Sequence, residues 1–448
     1  MPQRKRGNAG PEAGGSPRAF SGTSFRPLGR SLPERTGPAI TREAPWIAFN
    51  ACSVPQSVEG PSFGPNRFVL GANVPWIQYG IDFGVSPGRP EGGLHRHPED
   101  AALLRQVFAR LQADGIAHAR LFVLCDGRAG VRFAEDGTPE SLDGAVFADL
   151  DVVMAAARQT GVGLILVLLD GDWLVSTELA DGRLVGGHAD TLREGSKRAA
   201  LLERVLRPLL LRYADEPAVV AWEVMNAPER RTLGLVHPVR AVPGRVRGWM
   251  GVTINRWKEA ASGLAIRLRR SLGLLRERPE PPSWVDREQM RAFLGEAVGL
   301  IHRHTRALAT VGLQSTANLD LVRGLGLDFY LAAWAPEHGD EALRRAVSDL
   351  LVDRPLLLGA FPGIHPDKSI KTVLDTVRCA GYGGAFVWSV LHHDALSGYD
   401  GQLEQWSRNH SGQLHHRDLP AEAAAADHGD GAEADSEERG APPLALQR

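Results

Sequence analysis

Ala221-Trp222-Glu223-Val224-Met225-Asn226-Ala227-Pro228-Glu229 is the stretch that decides the fold, because it reads as the end of a buried strand that turns polar as it leaves the sheet. A short apolar run closed by proline cannot continue in a ladder, so Asn226 and Ala227 fall at its carboxyl end. Pro355-Leu356-Leu357-Leu358-Gly359-Ala360-Phe361-Pro362-Gly363 repeats the pattern and puts Ala360 near a second strand end.

Working outward, short apolar runs alternate with longer amphipathic ones, the signature of repeated strand–helix units on a parallel sheet. Strands are predicted at roughly 67–73, 117–124, 163–169, 219–226, 309–312, 327–334, 355–361 and 384–389. Helices are predicted over Glu99–Ala113, Ala145–Gln159, Lys197–Tyr213, Asp286–Ala309, Glu341–Leu351 and Ile370–Ala380. Eight such units close an α/β fold of the (β/α)8 TIM-barrel kind, whose working face lies at the carboxyl ends of the strands.

Two further segments carry a resemblance. Gly71-Ala72-Asn73-Val74-Pro75-Trp76 with Tyr79-Gly80-Ile81-Asp82-Phe83-Gly84 looks like a first-strand opening, and Asp328-Phe329-Tyr330-Leu331-Ala332-Ala333-Trp334 like a sixth strand. Together the segments resemble cellulase- and mannanase-like, family-five-like glycoside hydrolases of clan A over about residues 67–408. The resemblance implies that Arg120 lies below the nucleophile position, that Asn226 faces a sugar hydroxyl and that Trp388 is a sugar platform. Trp76, Trp334 and Tyr330 join it as aromatic candidates for substrate binding. It also implies departures. Ala227 stands at the acid/base position, Ala360 at the nucleophile position, and Ala333 where relatives carry a supporting histidine. Retaining glycosidases need two carboxyls about 5–5.5 Å apart, and a methyl group can neither protonate nor attack.

Other carboxylates could stand in: Glu229 two residues past Ala227, Glu337 after strand six, and Asp170 after strand three. Each also has a plainer reading as a cap or solvated loop residue. Arg120 is equally readable as a buried arginine paired with Asp126 or Glu223, since buried charge is normally paired. His392 and His393 have no cysteine or acidic partner at ligand spacing, so no metal is expected, and no cofactor.

The chain of 448 residues is 43% hydrophobic with formal net charge -2, enough to bury one large core and too balanced to draw nucleic acid globally. Cys52, Cys125 and Cys379 are too sparse for a disulfide framework and read as packed thiols. Residues 1–44 and 411–448 lack an apolar face able to offset ordering entropy and are expected to be disordered tails around a barrel domain spanning 45–410. No apolar h-region follows Met1-Pro2-Gln3-Arg4-Lys5-Arg6, so a cytoplasmic location is expected, possible attachment to a membrane surface aside.

That exception comes from an insertion over 230–285, in the connection after strand four. Arginines dominate it, opposed only by Glu259 and Glu277 up to Arg278, while Met250, Ile254, Trp257, Ala261, Leu264 and Leu268 recur at helical spacing. Residues 248–278 therefore read as a basic amphipathic segment for a membrane surface or a protein partner, or as a stripe packed on the barrel rim. Three functions remain open from sequence: a degenerate barrel binding an oligo- or polysaccharide, a glycolipid or a protein partner through its old cleft; an active glycosidase or transglycosidase using surrogate carboxylates; and a scaffold presenting the basic insertion.

Overall fold

The computed structural model describes residues 67–85, 92–175, 178–180, 183–235, 284–391 and 393–415, with 178–180 and 183–185 described for their backbone only. All lie in one compact unit spanning Cys52–Arg448. The expectations for residues 1–44, 248–278 and 416–448 fall outside the described residues.

Eight parallel strands close in sequence order into a barrel: β1 Val69–Asn73, β2 His118–Phe122, β3 Gly163–Asp170, β4 Val219–Asn226, β5 Leu308–Leu313, β6 Tyr330–Ala333, β7 Leu356–Pro362 and β8 Gly384–Trp388, with β8 pairing back to β1. Each coincides with a strand expected from sequence. β3 shows why the run folds this way. Its eight residues are all buried, because Leu164, Leu166 and Leu168 pack outward into the helical layer while Ile165 and Val167 point into the barrel.

The helical layer comprises α1 Pro98–Ala113, α2 Ala145–Thr160, α3 running through Gly195–Ala200, a π-helical stretch Leu201–Leu206 and Arg207–Arg212, then α4 Arg287–His304, α5 Gly339–Arg344, α6 Ile370–Cys379 and α7 Gly401–Asn409. Asp286 and Gln289 form a capping box that starts α4. Two expectations shift, and one unit departs from the eightfold pattern. The predicted helix Asp286–Ala309 ends at His304, because Thr305 is extended and β5 begins at Leu308. The predicted helix Glu341–Leu351 breaks into α5 and a 3₁₀ turn Val347–Leu350, since Arg345 and Ala346 are extended. After β5 a 3₁₀ turn, Thr316–Leu321, stands where a full barrel unit would carry an α-helix.

The ordered body also runs past the expected boundary at 410. Ser411–Gln413 form a turn, Leu414 is buried and bridges Phe68, and the backbone of Phe68 bonds to Gln413 and His415 across the amino end of the barrel. The reading of three packed thiols holds for Cys125, a buried free thiol, and not for Cys379, which is disulfide-bonded. No helix among the described residues is long and apolar enough to cross a membrane.

The barrel interior is stratified. Its floor is apolar: Val69, Ile165, Ala221, Phe329, Leu331, Leu357 and Phe386. Its upper layer is also apolar but aromatic and small: Trp76, Phe122, Cys125, Val167, Ala333, Ala335, Ala360 and Trp388. Between them lies a charged layer, and that layer organises the site.

Candidate functional site

Arg120 projects from β2 into the centre of the barrel, 1% exposed. A lone buried guanidinium would be prohibitively costly, and here every face of it is used. Its Nε donates to Glu223 Oε2 at 2.6 Å and its Nη2 to Glu223 Oε1 at 2.5 Å, a bidentate pair with β4. Nη1 donates to Asn73 Oδ1 at 3.0 Å on β1, and Nη2 also to Asn226 Oδ1 at 2.9 Å. Asn73 in turn donates to the carbonyls of Gly359 and Val387, tying the layer to β7 and β8. Of the two partners offered for Arg120, Glu223 is the one used; Asp126 pairs instead with Arg128 at 2.6 Å.

Above this layer the network reaches the mouth. Asn226, at the last position of β4, donates to Asp170 Oδ2 at 2.6 Å, and Asp170 Oδ1 accepts the backbone N–H of Asp172 at 2.9 Å. Arg230, on the 3₁₀ turn Pro228–Arg231, lies 3.0 Å from Asp172 Oδ1 and 3.9 Å from Asp170 Oδ1. Burial pushes the Asp170 carboxyl up to about 7, with Asp172 adding to the rise while Arg230, Asn226 and the Asp172 amide oppose it. Asp170 is thus poised between acid and carboxylate near neutral pH.

Ala227 follows β4 directly, fully buried and in the left-handed region with φ 52°, its N–H bonded to the carbonyl of Gly312. Cys125, just past β2, has φ 46°. Non-glycine residues pay for such backbone, and strain of this kind gathers at functional mouths. Ala360 lies on β7, also fully buried, in the apolar upper layer with Ala333. The register of β4 shifts by one residue between Glu223 and Asn226, and that of β7 between Leu358 and Phe361. Both bulges fall beside the two alanines, where a bulge re-aims a side chain at a strand end.

The structure brings Trp76, Tyr79, Phe122, Asp170, Asn226 and Trp388 together around one narrow cavity, partly open to solvent. Trp76 stands nearly perpendicular to Tyr79, Phe122 and Trp388, with ring centroids 4.7, 5.6 and 6.0 Å away. Two aromatic candidates are not there. Trp334 points outward from the top of β6, its indole N–H donating to the carbonyl of Gly339 and its ring stacked on His365. Tyr330 begins β6, at the opposite end of the barrel, where its hydroxyl donates to Asp353. Strand alternation and the length of β6 explain both departures: neighbouring side chains face opposite ways, and only the last residues of a strand reach the mouth.

The surrogate carboxylates also separate. Glu337 is exposed on the 3₁₀ turn Pro336–His338. Glu229 is fully buried, and its Oε1 accepts the backbone N–H of Gln314 while Oε2 has no hydrogen-bond partner. Burial raises its carboxyl to about 7, yet it does not line the cavity. His393 is held by the fold, its Nε2 at the carbonyl of Trp76 and its Nδ1 3.1 Å from Ser389 Oγ. Among the described residues, no group of three or more His, Cys, Asp or Glu side chains could hold a metal ion.

The mouth contains residues not assigned to it from sequence: Tyr79, Phe122, Arg128 and Arg230. The guanidinium of Arg128 covers the Tyr79 ring at 4.8 Å. Their positions, from the last residue of β2 to six residues past a strand end, were the available signal, diluted by every other residue that shares it.

The fold is a (β/α)8 barrel similar to those of solved β-mannanases. The chain is similar to mannan endo-1,4-β-mannosidase of the mussel Mytilus edulis, 22% identical over 374 residues that make up 78% of this chain and 92% of the relative. Among solved structures it shares its fold with the endo-1,4-β-mannanase of Eisenia fetida, at TM-score 0.54 and 21% identity, covering 76% of this chain and 89% of that one. The β-mannanase of Mytilus edulis superposes at TM-score 0.56 and 18% identity, covering 81% and 98%. No family model matches the chain.

Proposed function

We propose that this chain is a catalytically degenerate mannanase-type barrel that binds a saccharide at its mouth and does not cleave it. The observation that carries the reading is the pair of methyl side chains, Ala227 after β4 and Ala360 on β7, at the strand ends where the resemblance calls for the two catalytic carboxyls. Hydrolysis with retention divides its work between a proton donor and a nucleophile about 5–5.5 Å apart. Asp170 alone among the candidate surrogates borders the cavity, so one carboxyl would have to do both tasks.

A saccharide ligand follows from the relatives, which are mannan endo-1,4-β-mannosidases, and from the aromatic walls beside Asn226 and Asp170. One observation favours an active enzyme instead: a carboxyl poised near neutral pH, as Asp170 is, can serve as a general acid. Incubating the purified chain with β-mannan and manno-oligosaccharides, with reducing ends and gel retardation both followed, separates the readings. Retardation without new reducing ends is expected; turnover that disappears in Asp170→Asn would establish the enzyme.

A further inference from the structure

We propose that Tyr79 is a built-in stopper of the mouth: its ring occupies the place a sugar ring must take beside Trp76, and a saccharide enters only when that side chain swings out. This role rests on the reading of the mouth as a saccharide site and adds a self-inhibiting contact to it.

The mouth is closed by its own side chains. Tyr79 packs edge-to-face on Trp76 with centroids 4.7 Å apart, and Phe122 and Trp388 abut the same indole at 5.6 and 6.0 Å. The space left between these rings, Asp170 and Asn226 is about that of one water molecule, too little for a pyranose. Trp76, Phe122 and Trp388 are buried, and Tyr79, half-buried, is the most exposed of the four rings.

Several loops meet at the stopper. Tyr79 comes from the loop after β1, yet the charges that bear on its hydroxyl are Asp126 after β2, Asp170 and Asp172 at the end of β3, and Arg230 after β4. The ring therefore reaches across the mouth. The Arg128 guanidinium lies over it, 4.8 Å from its centroid, and is itself fixed by Asp126. Gly80, at φ 70°, makes room for this contact: a Cβ there would lie 2.7 Å from Arg128 Cδ and push the guanidinium off the ring.

The same contacts separate a fixed base from a movable tip. Asp82 accepts the backbone N–H groups of Ile77 and Gln78 at 2.7 and 2.8 Å, which pins the chain just before Tyr79. The Tyr79 hydroxyl, although buried, makes no hydrogen bond to the protein. Packing and the guanidinium hold the ring, and no hydrogen bond latches it. Rotation of the side chain thus carries the ring outward without unfolding the loop, and the hydroxyl is hydrated there. A mouth that is open for only a fraction of the time lowers the apparent affinity by that fraction.

Calorimetric titration of the intact chain with mannobiose, on the parent, Tyr79→Ala and Tyr79→Phe, tests the stopper. Tyr79→Ala is expected to bind at least about tenfold more tightly than the parent, as an open fraction below about one in ten requires. Tyr79→Phe keeps the ring and should bind no more tightly than the parent. Were Tyr79 a wall on which the sugar stacks, Tyr79→Ala would bind more weakly. Measurable binding by Tyr79→Ala that is equal to the parent's or weaker would overturn the proposal, as would a gain in Tyr79→Phe matching that in Tyr79→Ala. Oxidation by N-bromosuccinimide, mapped by mass spectrometry, gives a readout free of saccharide. Trp76 and Trp388 should be protected in the parent and in Tyr79→Phe and attacked in Tyr79→Ala; unchanged protection in Tyr79→Ala sinks the stopper. If that variant does not fold, Tyr79→Val, which keeps an apolar contact with Trp76, takes its place with the same expectations. Attack on both tryptophans in Tyr79→Ala, with no mannobiose bound by any form, leaves the stopper standing and removes the saccharide-binding reading, so the two fail separately.

Discussion

Arg120 and Glu223 hold one another in the centre of the barrel, with side chains 1% and 0% exposed and two hydrogen bonds between them. The pair connects β2 to β4 and, through Asn73, to β7 and β8. Removing one partner of such a pair strands the other charge in a medium that cannot solvate it. Glu223→Gln is therefore expected to destabilise the fold by about 3–5 kcal/mol, read from urea denaturation. A loss under about 1 kcal/mol would mean that water reaches the barrel centre.

Gly312 on β5 makes room for that pair. A Cβ built there would lie 2.1 Å from Glu223 Oε1 and 3.0 Å from Arg120 Nη2. Gly312→Ala must displace the carboxylate and so break the bidentate geometry. A drop of more than about 2 kcal/mol is expected, comparable to other buried-network disruptions. Combining it with Glu223→Gln should cost less than the sum of the two, because both act on one interaction.

All eight barrel strands were legible in the sequence because each is a short apolar run between turn signals, and a parallel barrel buries both faces of every strand. The mouth was legible only in part. Asn226, Asp170, Trp76 and Trp388 could be located because they follow strand ends, but Trp334 and Tyr330 misled: position in the chain does not say which way a side chain faces, nor which end of β6 it occupies. The narrowness of the mouth was not legible at all. It arises from Tyr79 and Phe122 packing on Trp76, contacts between segments up to 46 residues apart that no local pattern encodes.

The alanines invite restoration. Ala227→Glu with Ala360→Glu keeps Arg120 and Asn226 in place, but each new carboxyl enters a fully buried position, and Ala333 stands where the resemblance calls for a supporting histidine. The double variant is expected to fold, to lose about 2–5 kcal/mol from the buried carboxyls, and to gain at most weak mannan hydrolysis. Melting curves and reducing-end assays on parent and variant check both halves. Substantial turnover would show that two carboxyls suffice on this scaffold, and unaltered stability would mean that the strand ends are open to water.

Glu229 sets a pH dependence of stability whose sign follows from its environment. Burial raises its carboxyl from 4.5 in the unfolded chain to about 7 in the fold, with the Gln314 and Ser315 amides opposing. Between those values the folded protein keeps a proton that the unfolded chain has released. Stability contributed by this group must then be highest below about pH 4.5, fall as pH rises, and level off above about pH 7, a loss on the order of 3 kcal/mol. Asp82, also raised to about 7 by burial, slopes the same way. Glu229→Gln cannot ionise and keeps an acceptor for the Gln314 amide, so its stability relative to the parent should improve from about pH 5 to about pH 7 and level off above that. Denaturation midpoints across that range test it, and parallel curves for parent and variant would mean that Glu229 is already ionised in the folded chain.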